Sequence, residues 1–109
     1  MFNLFNRKKE INKDAADAFW KWFEENEQWI IDNSQANGQE VVWAIDEYIV
    51  PIFPYMPAED VQFQFGYNNG KGEFEFYHLG DQRLMRDSAI LKRMMPESLK
   101  SRWEFEIYE

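Results

Sequence analysis

The chain has 109 residues, 45% of them hydrophobic, 18% aromatic and 29% charged, with no cysteine, one histidine and a formal net charge of −8. That length suits one domain with a real core, and the aromatic content excludes a disordered acidic segment. No apolar run is long enough to span a bilayer, the missing cysteine excludes disulfide scaffolds and thiol chemistry, and the acidic balance argues against a nucleic-acid binder.

Residues 1–13 carry Arg7, Lys8, Lys9 and Lys13 against Glu10 and read as a flexible basic tail. The tail lacks the apolar core of a signal peptide. Phe2, Leu4 and Phe5 before a basic triplet give a marginal membrane contact, not a stable anchor. One domain is then expected over residues 14–109. The chain stops on a well-patterned strand, which leaves open that it is the N-terminal part of a longer protein.

A first helix is expected from Ala15 to about Asn33, with Asp14 as N-cap and Asp17 in an acidic first turn. Ala15, Phe19, Trp22, Phe23, Trp29 and Ile30 fall on one stripe at helical spacing, with Asn26 near its centre and Trp20 and Ile31 off it. Gly38 is a candidate left-handed cap. A second helix follows from about Gln39 to Val50, carrying Val42, Ile45, Tyr48 and Ile49. Pro51, Pro54 and Pro57 predict an extended connector rich in apolar side chains.

Val61–Tyr67 alternates and reads as a strand, Asn68–Gly72 as a hairpin turn, and Glu73–Leu79 as the return strand. A third helix is expected from Gln82 to Met95, with Leu84, Ser88, Leu91, Met94 and Met95 near one face. Pro96 stops it, and Trp103–Tyr108 is the last strand. The order is ααββαβ, and the fold class is α+β with a mainly antiparallel three-stranded sheet and helices on one face. The simplest sheet has order 2-1-3, with the last strand antiparallel beside the first. Val61, Phe63, Phe65, Phe74, Phe76, Trp103, Phe105 and Ile107 then face the helices. Gln62, Gln64, Glu73, Glu75, Glu104 and Glu106 face away, and in that order the glutamines separate the two glutamate rows.

The segment Phe19-Trp20-x-Trp22-Phe23-x-x-Asn26-Glu27, followed by Met95-Pro96-Glu97-Ser98-Leu99 and Trp103-Glu104-Phe105, resembles a group of uncharacterised bacterial proteins. Their N-terminal helix has the form FWxWFxxNE, and a later P-x-x-L…W passage enters a strand. The likeness runs over most of the chain from about residue 17 and is structural in kind. It implies a bacterial, cytoplasmic α+β domain, sometimes part of a longer chain, and no catalytic residue.

The function-bearing residue types are few. There is no threonine, and none of the four serines sits in a nucleophile-elbow setting. His78, Asp81 and Ser88 are the residue types of a triad, but local geometry does not converge them. His78 reads as a hydrogen-bonded histidine at the core rim. No metal-ligand or phosphate-loop spacing occurs, so no cofactor and no metal are expected. Asn26 is a buried polar tie that needs partners on a neighbouring strand or the Pro51–Pro57 connector. Trp20, Trp43 and Tyr55 belong to no single core stripe, and either pack between helices or form an interaction surface.

Charge is segregated: residues 14–81 sum to −12 while residues 82–102 sum to +4. The expected function is a non-enzymatic protein-binding module with an acidic surface, immunity- or antitoxin-like in one version, that meets a basic protein partner through Trp20, Trp43, Tyr55, Glu73, Glu75, Glu104 and Glu106. The alternative is a regulatory or partial enzyme domain whose site is completed by sequence beyond residue 109.

Overall fold

A computed structural model describes residues 10–109. The α+β class and the ααββαβ order hold, with one short helix added before the last strand. The elements are α1 (Lys13–Asn33), α2 (Gly38–Ile49), two 3-10 turns (Val50–Ile52 and Ala58–Asp60), β1 (Gln62–Asn68), β2 (Lys71–Tyr77), α3 (Gln82–Arg93), α4 (Glu97–Lys100) and β3 (Trp103–Tyr108).

The basic tail falls largely on residues 1–9, outside the described residues. From Ile11 onward the chain already belongs to the domain. Ile11 is buried, and the Asn12 amide donates to the Ile52 carbonyl at 2.8 Å. Asn12, not Asp14, is the N-cap of α1. Its Oδ1 accepts from the Ala15 amide at 3.1 Å, satisfying one donor that a helix start leaves orphaned. Gly38 opens α2 instead of ending α1, and Pro51 sits at the start of a 3-10 turn, where its missing N–H costs nothing.

The sheet has order β1-β2-β3, with β1–β2 antiparallel and β2–β3 parallel. This corrects the expected 2-1-3 order with β3 beside β1. The hairpin turn is two residues, Asn69 and Gly70, both at positive φ (53° and 78°), the geometry that keeps two twisted strands paired. The chain then leaves β2, crosses the inner face through α3 and returns in the same direction, so β3 lands parallel on the free edge of β2. One contact explains why that edge is chosen. A Cβ built on Gly72 would lie 2.2 Å from the Trp103 ring, so the indole occupies the space a side chain would fill. Gly72 and Trp103 are register partners, and no other residue type on β2 would accept the indole there.

The inner face is the core. Phe74 and Phe76 on the central strand, Trp103 and Phe105 on β3, and Phe19, Trp20 and Phe23 on α1 are all buried. Phe23 meets Trp103 edge-on at 5.0 Å, and Trp20 meets Phe105 at 5.9 Å, which lays α1 across β2 and β3. Each such side chain removed from water contributes roughly 1.5–3 kcal/mol. Phe63 and Phe65, expected in the core, are half-buried because β1 is an edge strand. Trp29, expected on the core stripe, is 38% exposed.

Candidate functional site

Among the described residues no helix lies on the outer face of the sheet, and its residues alternate with the aromatic core residues along each strand. Gln62, Gln64 and Gly66 come from β1, Glu73, Glu75 and Tyr77 from β2, and Glu104, Glu106 and Tyr108 from β3. Because β2 is central, the glutamates are not separated by glutamines, as the 2-1-3 order required. Glu73 pairs in register with Glu104, and Glu75 with Glu106, so four carboxylates form a grid on two adjacent strands. Tyr77 and Tyr108 close one end, with ring centroids 6.1 Å apart.

Like charges directly opposite on neighbouring strands cost free energy, and relief here is partial. Lys92 of α3 reaches Glu106 at 3.6 Å with both side chains about half exposed. Glu73, Glu75 and Glu104 have no ion pair among the described residues. Tyr77 donates its hydroxyl to Glu75 at 2.8 Å, and that bond raises its phenol pKa. The Tyr108 phenol is also held above its ordinary range, first by partial desolvation and then by the negative field of Glu75, Glu106, Glu73 and Glu104. The arrangement can attract, orient and hold cationic groups.

A depression runs from this face over the β1 edge. One cleft of about 550 Å³ is lined by Ser34, Gln35, Gly66, Tyr67, Asn68, Lys71 and Glu73. A second of about 180 Å³ is lined by Gln64, Phe65, Gly66, Glu73 and Glu75. The two meet at Gly66 and Glu73.

The other expected site residues lie elsewhere, and three need correction. Trp20 is only 4% exposed, and its indole N–H donates to the Leu91 carbonyl at 3.0 Å, tying α1 to α3. Tyr55 is half-buried. Its hydroxyl donates to Asp87 Oδ2 at 2.7 Å, and Arg83 lies 4.7 Å over its ring. It anchors the proline-rich connector to α3, and burial followed by the Asp87 contact pushes its phenol pKa far up. Asn26 is no cross-element tie, since its Nδ2 donates to the Trp22 carbonyl one turn back in its own helix. Of the three aromatics, Trp43 alone projects, at 64% exposed.

The tie expected of Asn26 is made by its neighbour. Glu27 Oε2 and Oε1 accept from Arg102 Nε at 2.6 Å and Nη2 at 2.8 Å, and Oε2 accepts from Trp103 Nε1 at 3.0 Å. The Arg102 hydrogen bond lowers the Glu27 pKa against the opposing effect of burial. His78, Asp81 and Ser88 are not brought together. His78 Nδ1 accepts from the Gly80 amide, Asp81 caps α3 through the Arg83 and Leu84 amides, and Ser88 is buried against the Met85 carbonyl. Among the described residues, no group of three or more carboxylates, histidines or cysteines has metal-holding geometry, and no helix is long and apolar enough to cross a membrane.

No family model, curated protein or solved structure matches this chain, so its own residues carry the functional reading.

Proposed function

We propose that the protein is a binding module whose outer sheet face docks a protein partner with a basic surface. The observation that carries this is the in-register pairing of Glu73 with Glu104 and Glu75 with Glu106 on a face that no helix among the described residues covers. A sheet needs a polar outer face, but it does not need one sign of charge on two neighbouring strands. Places where a chain accepts a local electrostatic cost are where function is expected. A one-signed face also resists self-association and speeds encounter with an oppositely charged surface.

An immunity- or antitoxin-like cover for a basic toxin is the specific version this charge and size suit. The cytoplasmic setting and bacterial source are carried by the resemblance of the aromatic helix. The test is affinity capture on two immobilised baits, wild type and the Glu73→Gln, Glu75→Gln, Glu104→Gln, Glu106→Gln variant. A basic protein retained by the first and lost from the second supports the reading. Equal retention by both contradicts it.

A further inference from the structure

Gly66 sits in the middle of β1, where glycine weakens a strand. Nothing among the described residues asks for it. It is not at positive φ, and a Cβ built there meets nothing within 4 Å. Gly72, its near neighbour on β2, is the opposite case, because the Trp103 indole fills its side-chain space. What Gly66 provides is an open notch on the outer face, beside Glu73, its register partner. Glycine in a strand is commonly found where another chain or ligand comes close.

The strand that carries the notch is itself unpartnered on one side. Among the described residues β1 pairs only with β2, so there one row of its backbone N–H and C=O groups is open to another strand. Its sequence, QFQFGYN, has neither a charge nor a proline, two of the devices by which proteins keep strangers off an edge. Phe63, Phe65 and Tyr67 on its inner side are half-buried and ready for further cover. The β3 side differs, since Lys92, Arg93 and Lys100 line the cleft beside Trp103–Glu106.

From these observations the geometry points to an extended basic segment of the partner lying along the β1 edge as a fourth strand, with one lysine or arginine side chain crossing Gly66 to reach Glu73 and Glu75. The mode rests on the docking function proposed above and names how the partner is held. An added strand would lie about 10 Å from β2, two strand spacings away. A long cationic side chain meets a glutamate across that gap only where the intervening residue has no side chain in the path. The carboxylates lining the notch select a cation, and the Gly66–Glu73 depression is where the two clefts join. Backbone pairing supplies affinity in such strand addition, and the side-chain notch supplies register.

The probe is a synthetic peptide, acetyl-Val-Lys-Val-Arg-Val-Lys-Val-amide, titrated into the isotopically labelled protein and followed by amide chemical shifts. Wild type is expected to bind, with shifts over residues 62–68 and 73–75. Gly66→Val, which suits a strand and has room for its Cβ, is expected to keep or raise its thermal midpoint and to bind about tenfold more weakly, the equivalent of one charged contact. A peptide N-methylated at alternate residues, unable to pair its backbone, is expected not to bind. No binding by wild type, or equal binding by Gly66→Val, overturns the notch. If Gly66→Val binds normally while the four-glutamine variant does not, the acidic-face reading survives and the edge mode falls. If both variants bind as wild type does, both readings fall. A wild-type dimer in sedimentation that becomes monomeric in Gly66→Val would assign the edge to a second copy of this chain and also overturn the proposal.

Discussion

Alanine at Gly72 and alanine at Gly66 are the same chemical change on register-adjacent strands, yet they should move stability in opposite directions. At Gly72 the new Cβ would lie 2.2, 2.4 and 2.5 Å from three atoms of the Trp103 ring, so the indole must move. That ring is 2% exposed, packs on Phe23 at 5.0 Å and donates to Glu27 at 3.0 Å. Overpacking of this kind costs roughly 1–3 kcal/mol, and disturbing the indole hydrogen bond costs about 1 kcal/mol more. The entropic gain of replacing glycine in a strand, about 0.5–1 kcal/mol, offsets only part of this. A net loss of about 1–3 kcal/mol corresponds to a fall of roughly 5–20 °C in thermal midpoint for a domain of this size. At Gly66 no atom of the described residues beyond its own chain neighbours lies within 4 Å of the new Cβ, so only the gain of about 0.5–1 kcal/mol remains. Far-UV circular dichroism against temperature and urea reads both. A Gly72→Ala protein as stable as Gly66→Ala would refute the placement of Trp103, and with it the β2–β3 pairing.

Glu27 should make stability sensitive to acid. Its folded pKa is lowered by Arg102, so its contribution is present above the unfolded value near 4.5 and is lost as pH falls through the folded one. Urea midpoints from neutral to pH 3 should show Glu27→Gln about 1–3 kcal/mol less stable at neutral pH and converging on wild type in acid; a constant gap would count against the clamp. Tyr55→Phe removes a donor from buried Asp87 and should cost about 1–3 kcal/mol. In the wild-type protein the Tyr55 phenol, raised by burial and then by Asp87, should be absent from the alkaline spectrophotometric titration until unfolding.

Much of the architecture is legible from period alone. The alternation in Val61–Tyr67 and Trp103–Tyr108, the Asn-Gly turn and the helical stripe through Phe19 and Phe23 each have one physical reading, and the elements lie where those readings place them. The strand order is not legible that way. It depends on which edge of the hairpin the crossover reaches, and the deciding feature is the fit of the Trp103 ring over Gly72, a contact between residues 31 positions apart. The same limit governs the site. The alternation places Glu73, Glu75, Glu104 and Glu106 on the outer face, but their direct pairing follows only from the order. Trp20 looks free on a helical wheel and Tyr55 looks free in the proline-rich connector, because their polar atoms are met by Leu91 and Asp87, in α3. Asn26 stands out on its apolar stripe and Glu27 does not, although the residue with partners on another element is the second. The signal available is Arg102-Trp103 at a strand start, three donors that a single carboxylate can satisfy.

The four outer carboxylates are proposed to form the surface to which a basic partner docks. The association rate of the captured partner with wild type and with the four-glutamine variant over a series of salt concentrations tests that docking. The wild-type rate is expected to be faster by about tenfold or more at low salt and to fall steeply as salt screens the face, beside a slower rate for the variant that barely changes. Rates that coincide at every salt concentration, with both proteins folded, would contradict it.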